Sequence, residues 1–263
     1  MKIFYSLTLL SALIIMASSE SQAIDKNTVG LWTFESGKGQ KVIDISDNGF
    51  DGKIVGKAKW IPEGRFGGAL SFDGKSSYVE IPKQKAFDLT EFTIELWFWA
   101  ESIDGTRAVF AGGESFDTDK AQYVCEINDG ENPNKIQLWY EADDDADTYV
   151  GSKTEIKTKQ WYFFAVSRDK SGNIKIYING KLETQRQQPI PPANINHPIT
   201  IGCRTNSPNT YQDFFHGKID EVRISNLPRG ENEIMNAFKK GFPVSPQEKM
   251  TTVWAKIKSI SSR

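Results

Sequence analysis

The sequence predicts an all-β fold of two packed antiparallel sheets, and three observations carry that expectation. Short apolar and β-branched runs recur at intervals of about 10–15 residues, separated by Gly, Asp, Asn and Pro clusters. Helical periodicity is nearly absent before residue 230. Hairpin signals such as Asn128-Asp129-Gly130 and Asn179-Gly180 join successive runs.

In chain order, the first 23 residues open with Lys2, continue with an apolar run too short to span a bilayer and end on Ser21-Gln22-Ala23. This is the pattern of a secretory signal peptide cut after Ala23. The expected locale is extracellular or periplasmic, with no membrane span after cleavage. Residues 24–241 form the expected domain and residues 242–263 a C-terminal tail carrying Trp254.

Expected strands cover residues 30–35, 51–56, 69–72, 78–81, 92–100, 108–112, 121–127, 135–141, 161–168, 173–178, 199–202 and 217–225. In the strand 92–100, Phe92, Ile94, Leu96 and Phe98 face one way and Glu95, Trp97 and Trp99 the other. The strand 135–141 splits Ile136, Leu138 and Tyr140 from Gln137, Trp139 and Glu141. The strand 161–168 is apolar on both faces, so it is covered on both sides or borders a groove. After the last strand, residues 230–240 read as a short helix with acids first and bases last, the order that the helix dipole favours.

The chain of 263 residues has a formal net charge of -2. That excludes a nucleic-acid polycation and a strongly acidic disordered chain. Its cysteines are Cys125 and Cys203. An oxidising compartment allows them to form one disulfide, which is the expectation, while their apolar strand faces suit two buried free thiols nearly as well.

Several segments together resemble the laminin-G-like jelly roll of the concanavalin A-like lectin and glucanase superfamily. They are "GLWTFESGKG" at 30–39, "DISDNGFDGKIVG" at 44–56, "GGALSFDGKSSYVEIP" at 67–82, "FTIELWFWA" at 92–100, "WYFFAVSRDKSGNIKIYINGK" at 161–181, "ITIG" at 199–202 and "GKIDEVRI" at 217–224. The resemblance implies a two-sheet antiparallel jelly-roll sandwich. It leaves function open, because this architecture hosts glycosidases, lectins and adhesion modules alike.

Strict alternation along residues 217–225 places Asp220 on the side of Val222 and Ile224, where a carboxylate must be paired, hydrogen-bonded or bound to a metal. The resemblance implies a structural calcium ion held by Asp220 with oxygens from the N-terminal segment. Glu35, Asp44, Asp47 and Asn48 are on offer there, with Asp73 as a further donor, although Asp73-Gly74 is also a turn signature. The alternatives for Asp220 are a set of backbone N–H donors, a basic side chain at the sheet rim, or exposure at a strand end. A second acidic cluster, Glu141, Asp143, Asp144, Asp145 and Asp147, lacks the Gly and terminal Glu of a calcium loop and reads as a solvated loop.

Catalysis is not expected. The carboxylate signature of glucanases on this fold has its nearest counterpart in Glu141-Ala142-Asp143-Asp144-Asp145, inside a charge run that cannot be a half-buried strand. His197 and His216 lack metal-ligand spacing, and no phosphate loop or nucleophile elbow occurs. What remains is binding. Trp97, Trp99 and Trp139, accompanied by Glu95 and Gln137, have the composition of a carbohydrate groove, unless Trp97 and Trp139 pack beneath covering elements. The expected partner is a glycan; the alternative is an extracellular protein contacted by an adhesion or scaffold domain. Neither reading involves nucleic acid.

Overall fold

The computed structural model describes residues 24–115, 120–130, 132–141, 147–194, 196–207 and 209–243. Two eight-stranded sheets dominate it. In the first, the order is Lys181–Gln187, Asn173–Ile178, Trp161–Arg168, Phe92–Ala100, His216–Ser225, Ala69–Asp73 and Lys59–Ile61, with Thr28–Trp32 also paired to His216–Ser225. In the second, it is Asp147–Gly151, Asn132–Glu141, Val124–Asp129, Arg107–Ala111, Ile199–Ile201, Tyr78–Ile81, Gly52–Val55 and Lys41–Val42. All these pairings are antiparallel.

Period-two alternation builds the interior. Phe92, Ile94, Leu96 and Phe98 point from the first sheet into a core shared with Val109, Cys125, Ile136, Leu138 and Ile201 of the second. Each of these side chains is fully buried, and such burial contributes about 1.5–3 kcal/mol for each large aliphatic or aromatic residue.

The doubly apolar strand Trp161–Arg168 is explained by a second cluster on the outer face of the first sheet. There Phe163 and Ala165 pack with Leu31, Trp97, Tyr177 and the helix residues Ile234 and Ala237. The helix Glu231–Lys240 begins at Gly230, whose N–H donates to the Glu233 carboxylate at 2.9 Å, and ends at Gly241 with φ 69°. Phe242 is buried in the same cluster, so packing continues one residue past the expected domain boundary.

The final strand departs from strict alternation. Asp220 pairs with Trp97 and Arg223 with Glu95, so three residues on one strand span two on the other. Glu221 is the extra residue, at φ 52°, in the left-handed region that non-glycine residues rarely occupy. This bulge resets the phase. Val222 and Ile224 face the core while Asp220 faces the outer side with Trp97, correcting the expectation that these three share a side.

Candidate functional site

The expected carbohydrate groove is divided between the two outer faces of the sandwich. Trp97 and Glu95 lie on the first sheet, covered by the helix. Trp97 is 2% exposed, stacks on Phe238 with centroids 5.4 Å apart and has the Arg65 guanidinium 4.6 Å from its ring centroid. Glu95 is fully buried and its Oε2 is ion-paired to Arg223 at 2.6 Å. Neither lines an open groove, because the helix needs an apolar bed and these strands supply it. Trp99, also on that face, is half-buried beyond the helix.

Trp139 and Gln137 lie on the outer face of the second sheet. Trp139 stacks on Tyr149 at 6.0 Å, lies 5.3 Å from the Arg204 guanidinium and is 7% exposed. Gln137 is fully buried, donating from Nε2 to Glu126 Oε1 and Asp129 Oδ2, each at 3.1 Å. These two residues are therefore structural parts of a polar layer rather than a bare platform.

The roof of that layer is a hairpin that sequence reasoning missed. Arg204–Ser207 pairs with Thr210–Gln212 and reaches across the outer face. Arg204 lies over Trp139, while the Tyr211 hydroxyl donates to Glu80 on the strand Tyr78–Ile81. At the Glu80 end a cleft of about 310 Å³ is lined by Glu80, Asn196, His197, Pro198, Thr205, Asn209 and Tyr211. Thr205 is 1% exposed, and its hydroxyl has no hydrogen-bond partner among the described residues. Tyr211 stacks on Tyr78 at 4.3 Å, which fixes its ring. Burial and the Glu80 carboxylate push the Tyr211 hydroxyl well above its ordinary pKa, so it stays protonated and donates. The sequence signal was a run of side-chain donors and acceptors, residues 204–212, between two recognisable strands.

Glu126, beneath the same layer, is 3% exposed, and its Oε2 has no partner among the described residues. Burial raises its pKa from 4.5 to about 7, against the lowering influence of Arg204. The native state thus holds a proton that the unfolded chain releases near pH 4.5. Stability from this group is complete below that pH and is lost as the pH rises to about 7. The shift corresponds to about 3 kcal/mol. Urea midpoints measured from pH 4 to 8 are expected to fall more steeply for the wild type than for Glu126→Gln; parallel curves would contradict this assignment.

The proposed calcium ligands separate as well. Asp44 is spent locally: Oδ1 accepts from the N–H groups of Leu31 and Ser46, and Oδ2 accepts from Phe50 N–H and the Ser46 hydroxyl. Asp73 Oδ1 accepts from the N–H groups of Lys75, Ser76 and Ser77, holding a turn beside His216 at the far end of the strand from Asp220. These bonds hold the Asp73 carboxyl well below the usual carboxylate range despite the opposing effect of partial burial. Asp44 and Asp73 do not join Asp220. Asp47 is exposed, and Asn48 Nδ2 donates to the Val29 carbonyl at 3.1 Å.

Asp220 and Glu35 do come together. The final strand is flanked by Ala69–Asp73 along its first half and by Thr28–Trp32 along its second, and Asp220 sits where the neighbour changes. The turn before Gly68 fills that gap. Asp220 Oδ2 accepts from Arg65 N–H at 2.8 Å and Phe66 N–H at 2.9 Å, while Glu35 Oε1 accepts from Gly68 N–H at 3.0 Å. A Cβ on Gly67 would lie 2.2 Å from Glu35 Oε1, so glycine is required for this approach. Asp220 Oδ1 is buried without a partner among the described residues. Burial pushes Asp220 and Glu221 well above the usual carboxylate range; Glu35 raises both further, and Asp220 raises Glu221. Among the described residues no three His, Cys, Asp or Glu side chains form a ready metal cluster.

Cys125 and Cys203 are both buried free thiols, so the expected disulfide is not formed. The strand Arg107–Ala111 separates them: Cys125 pairs with Phe110, which pairs on its other side with Ile201. Two strand spacings, about 9.6 Å, lie between Cys125 and Ile201, and Cys203 follows two residues past Ile201. Of the second acidic cluster, residues 142–146 lie outside the described residues, as does the segment carrying Trp254. Among the described residues no helix is long and apolar enough to cross a membrane.

No curated protein is similar to the chain in sequence. Solved structures share its fold. Domain 4 of AbnA, a GH43 extracellular arabinanase from Geobacillus stearothermophilus solved with arabinotriose, has 20% identity over 80% of this chain and 97% of that one, with a TM-score of 0.61. The binding domain of Paraclostridial Mosquitocidal Protein 1 has 14% identity over 81% of this chain and 52% of that one, with a TM-score of 0.64. The binding domain of botulinum neurotoxin DC, solved with SialylT, has 15% identity over 82% of this chain and 52% of that one, at 0.62. The chain thus spans about half the length of these toxin domains. A laminin-G model described as concanavalin A-like lectin/glucanases superfamily matches residues 73–235. With more than half its length matched, and with two antiparallel sheets closed by one short helix, the chain belongs to this laminin-G-like family of the concanavalin A-like lectin/glucanases superfamily.

Proposed function

We propose that the protein is a secreted, non-catalytic carbohydrate-binding module that takes its ligand in the cleft between Glu80 and the Arg204–Gln212 hairpin. The cleft itself carries this reading. Its 310 Å³ lies at the small end of ligand pockets, the scale of one sugar residue. A carboxylate, two asparagines, a histidine and two hydroxyls converge on it, the donor and acceptor mixture that sugar hydroxyls require. The fixed Tyr78–Tyr211 stack supplies an aromatic edge. Relatives of the same fold solved with arabinotriose and with SialylT support a glycan as the ligand class. The role is binding rather than hydrolysis, because the Glu80 carboxylate is engaged by Tyr211 and, among the described residues, no second acid lines the cleft.

A glycan array probed with the wild type, Tyr211→Phe and Asn209→Ala tests this. The expected result is a wild-type signal for a defined glycan set that falls at least about tenfold in either variant. Absence of any signal would overturn the reading. The protein-binding alternative draws on the botulinum neurotoxin DC domain solved with rat synaptotagmin II. It is disfavoured because the large hydrophobics exposed among the described residues are Ile43 and Leu182, too few for an apolar docking patch.

Calcium belongs to the same proposal. Asp220 and Glu35 would hold it, with backbone carbonyls and water completing an oxygen shell. The buried, unpartnered Asp220 Oδ1 and the mutual repulsion of Asp220, Glu221 and Glu35 fit a divalent cation. Its role is structural: it would clamp the turn at Arg65–Gly68 to the bulged final strand.

A further inference from the structure

The outer face of the first sheet carries a second feature, beyond the end of the helix. Register places Trp161 opposite Trp99, Trp99 opposite Lys218, Lys218 opposite Ser71, and Ser71 opposite Lys59. One row along, the facing pair Phe163 and Trp97 is buried under the helix. The row itself is not. Trp161, Trp99, Lys218 and Ser71 are half-buried and Lys59 is exposed.

Strands about 4.8 Å apart set the two indoles side by side. Trp161 is anchored against the cluster beneath the helix, and the Lys218 ammonium lies 4.6 Å from the Trp99 ring centroid. Neither indole N–H has a hydrogen-bond partner among the described residues, and neither is a buried orphan of the kind found at Trp97. The row therefore presents two ring surfaces, two indole N–H donors, a hydroxyl and two ammonium groups, with no carboxylate or amide oxygen. One row along the other way, Glu101 is turned to Lys159 at 3.6 Å, and Asp73, opposite His216, accepts from the N–H groups of its own turn.

A ligand that matches this set brings an apolar ring face and an excess of anionic acceptors. We propose that the Trp161–Trp99–Lys218 row is a second saccharide site, on the sheet opposite the Glu80–Tyr211 cleft, for an anionic saccharide bearing carboxylate or sulfate groups. The pyranose face rests on the Trp161 indole, and the acid meets the Lys218 ammonium held over Trp99 in a charge-assisted hydrogen bond. The site does not depend on the cleft, since the two lie on different sheets.

Titration calorimetry of the full-length chain tests it with an oligogalacturonate, a sulfated oligosaccharide and a neutral oligosaccharide of equal length. At least one anionic ligand is expected to bind the wild type, with affinity falling as salt rises. Lys218→Gln and Trp161→Ala should each weaken that binding at least about tenfold, whereas Tyr211→Phe should leave it unchanged. Lys218→Gln lies on the surface and keeps the fold, which near-ultraviolet circular dichroism checks. The galacturonate and sulfate arms distinguish the source of the charge. The proposal is overturned if neither anionic ligand binds, if Lys218→Gln binds as the wild type does, or if only Tyr211→Phe loses affinity.

Discussion

Trp97→Ala is expected to cost about 3–5 kcal/mol of stability, read as a lower urea midpoint, while the folded fraction keeps its glycan response. The expectation follows from what the ring touches. Phe66, Phe163 and Phe238 surround it at centroid distances of 5.9, 5.4 and 5.4 Å, and the Arg65 guanidinium covers it. Truncation would leave a cavity exactly where the helix docks, so the helix would loosen with it. Glycan binding should persist because the Glu80–Tyr211 cleft is on the other sheet. A variant that stays fully stable yet loses glycan binding would restore Trp97 as a ligand platform.

Chelation of the calcium proposed at Asp220 and Glu35 is expected to lower the stability as well. At a calcium concentration of about 100 times Kd, a ligand bound only to the native state contributes about 2.7 kcal/mol. For a domain of this size that is a fall of about 5–10 °C in Tm on chelation. Asp220→Asn should abolish the response, since the buried Oδ1 lacks any described partner and its carboxylate is the charge to be neutralised. A wild-type Tm unmoved by chelator, or a shift of equal size in Asp220→Asn, would remove the ion from the account.

The core strands were legible because they bury one or both faces. The strand Phe92–Ala100 shows strict alternation, and Trp161–Arg168 is apolar on both faces from Trp161 to Val166; both appear in the structure with the expected bounds. Edge strands were not legible. Lys181–Gln187 and Lys59–Ile61 lie at the two edges of the first sheet and contribute largely exposed or half-buried side chains, so no apolar period marks them. The Asn179-Gly180 signal did announce a hairpin, and both residues adopt positive φ there, 51° and 78°.

The site was harder for a physical reason. Alternation tells which residues share a face of one strand, not which sheet that strand joins. Trp97 and Trp139 each point away from the core, as expected, yet they point in opposite directions from the sandwich. Asp220 was singled out correctly as a buried acid, but Glu221 inserts a bulge that shifts its facing, and a bulge at a charged residue leaves no mark in hydrophobic pattern. The cleft was invisible because its walls come from polar loop and hairpin residues brought to Glu80 only by tertiary structure.

The central claim is that ligand enters at the second sheet's outer face. Amide chemical-shift mapping during titration with the glycan giving the strongest array signal tests it most directly. The account predicts that the largest shifts cluster at Glu80, Asn196, Thr205, Asn209 and Tyr211. Shifts confined to the helix side, around Trp97 and Phe238, with those five residues unmoved, would contradict it.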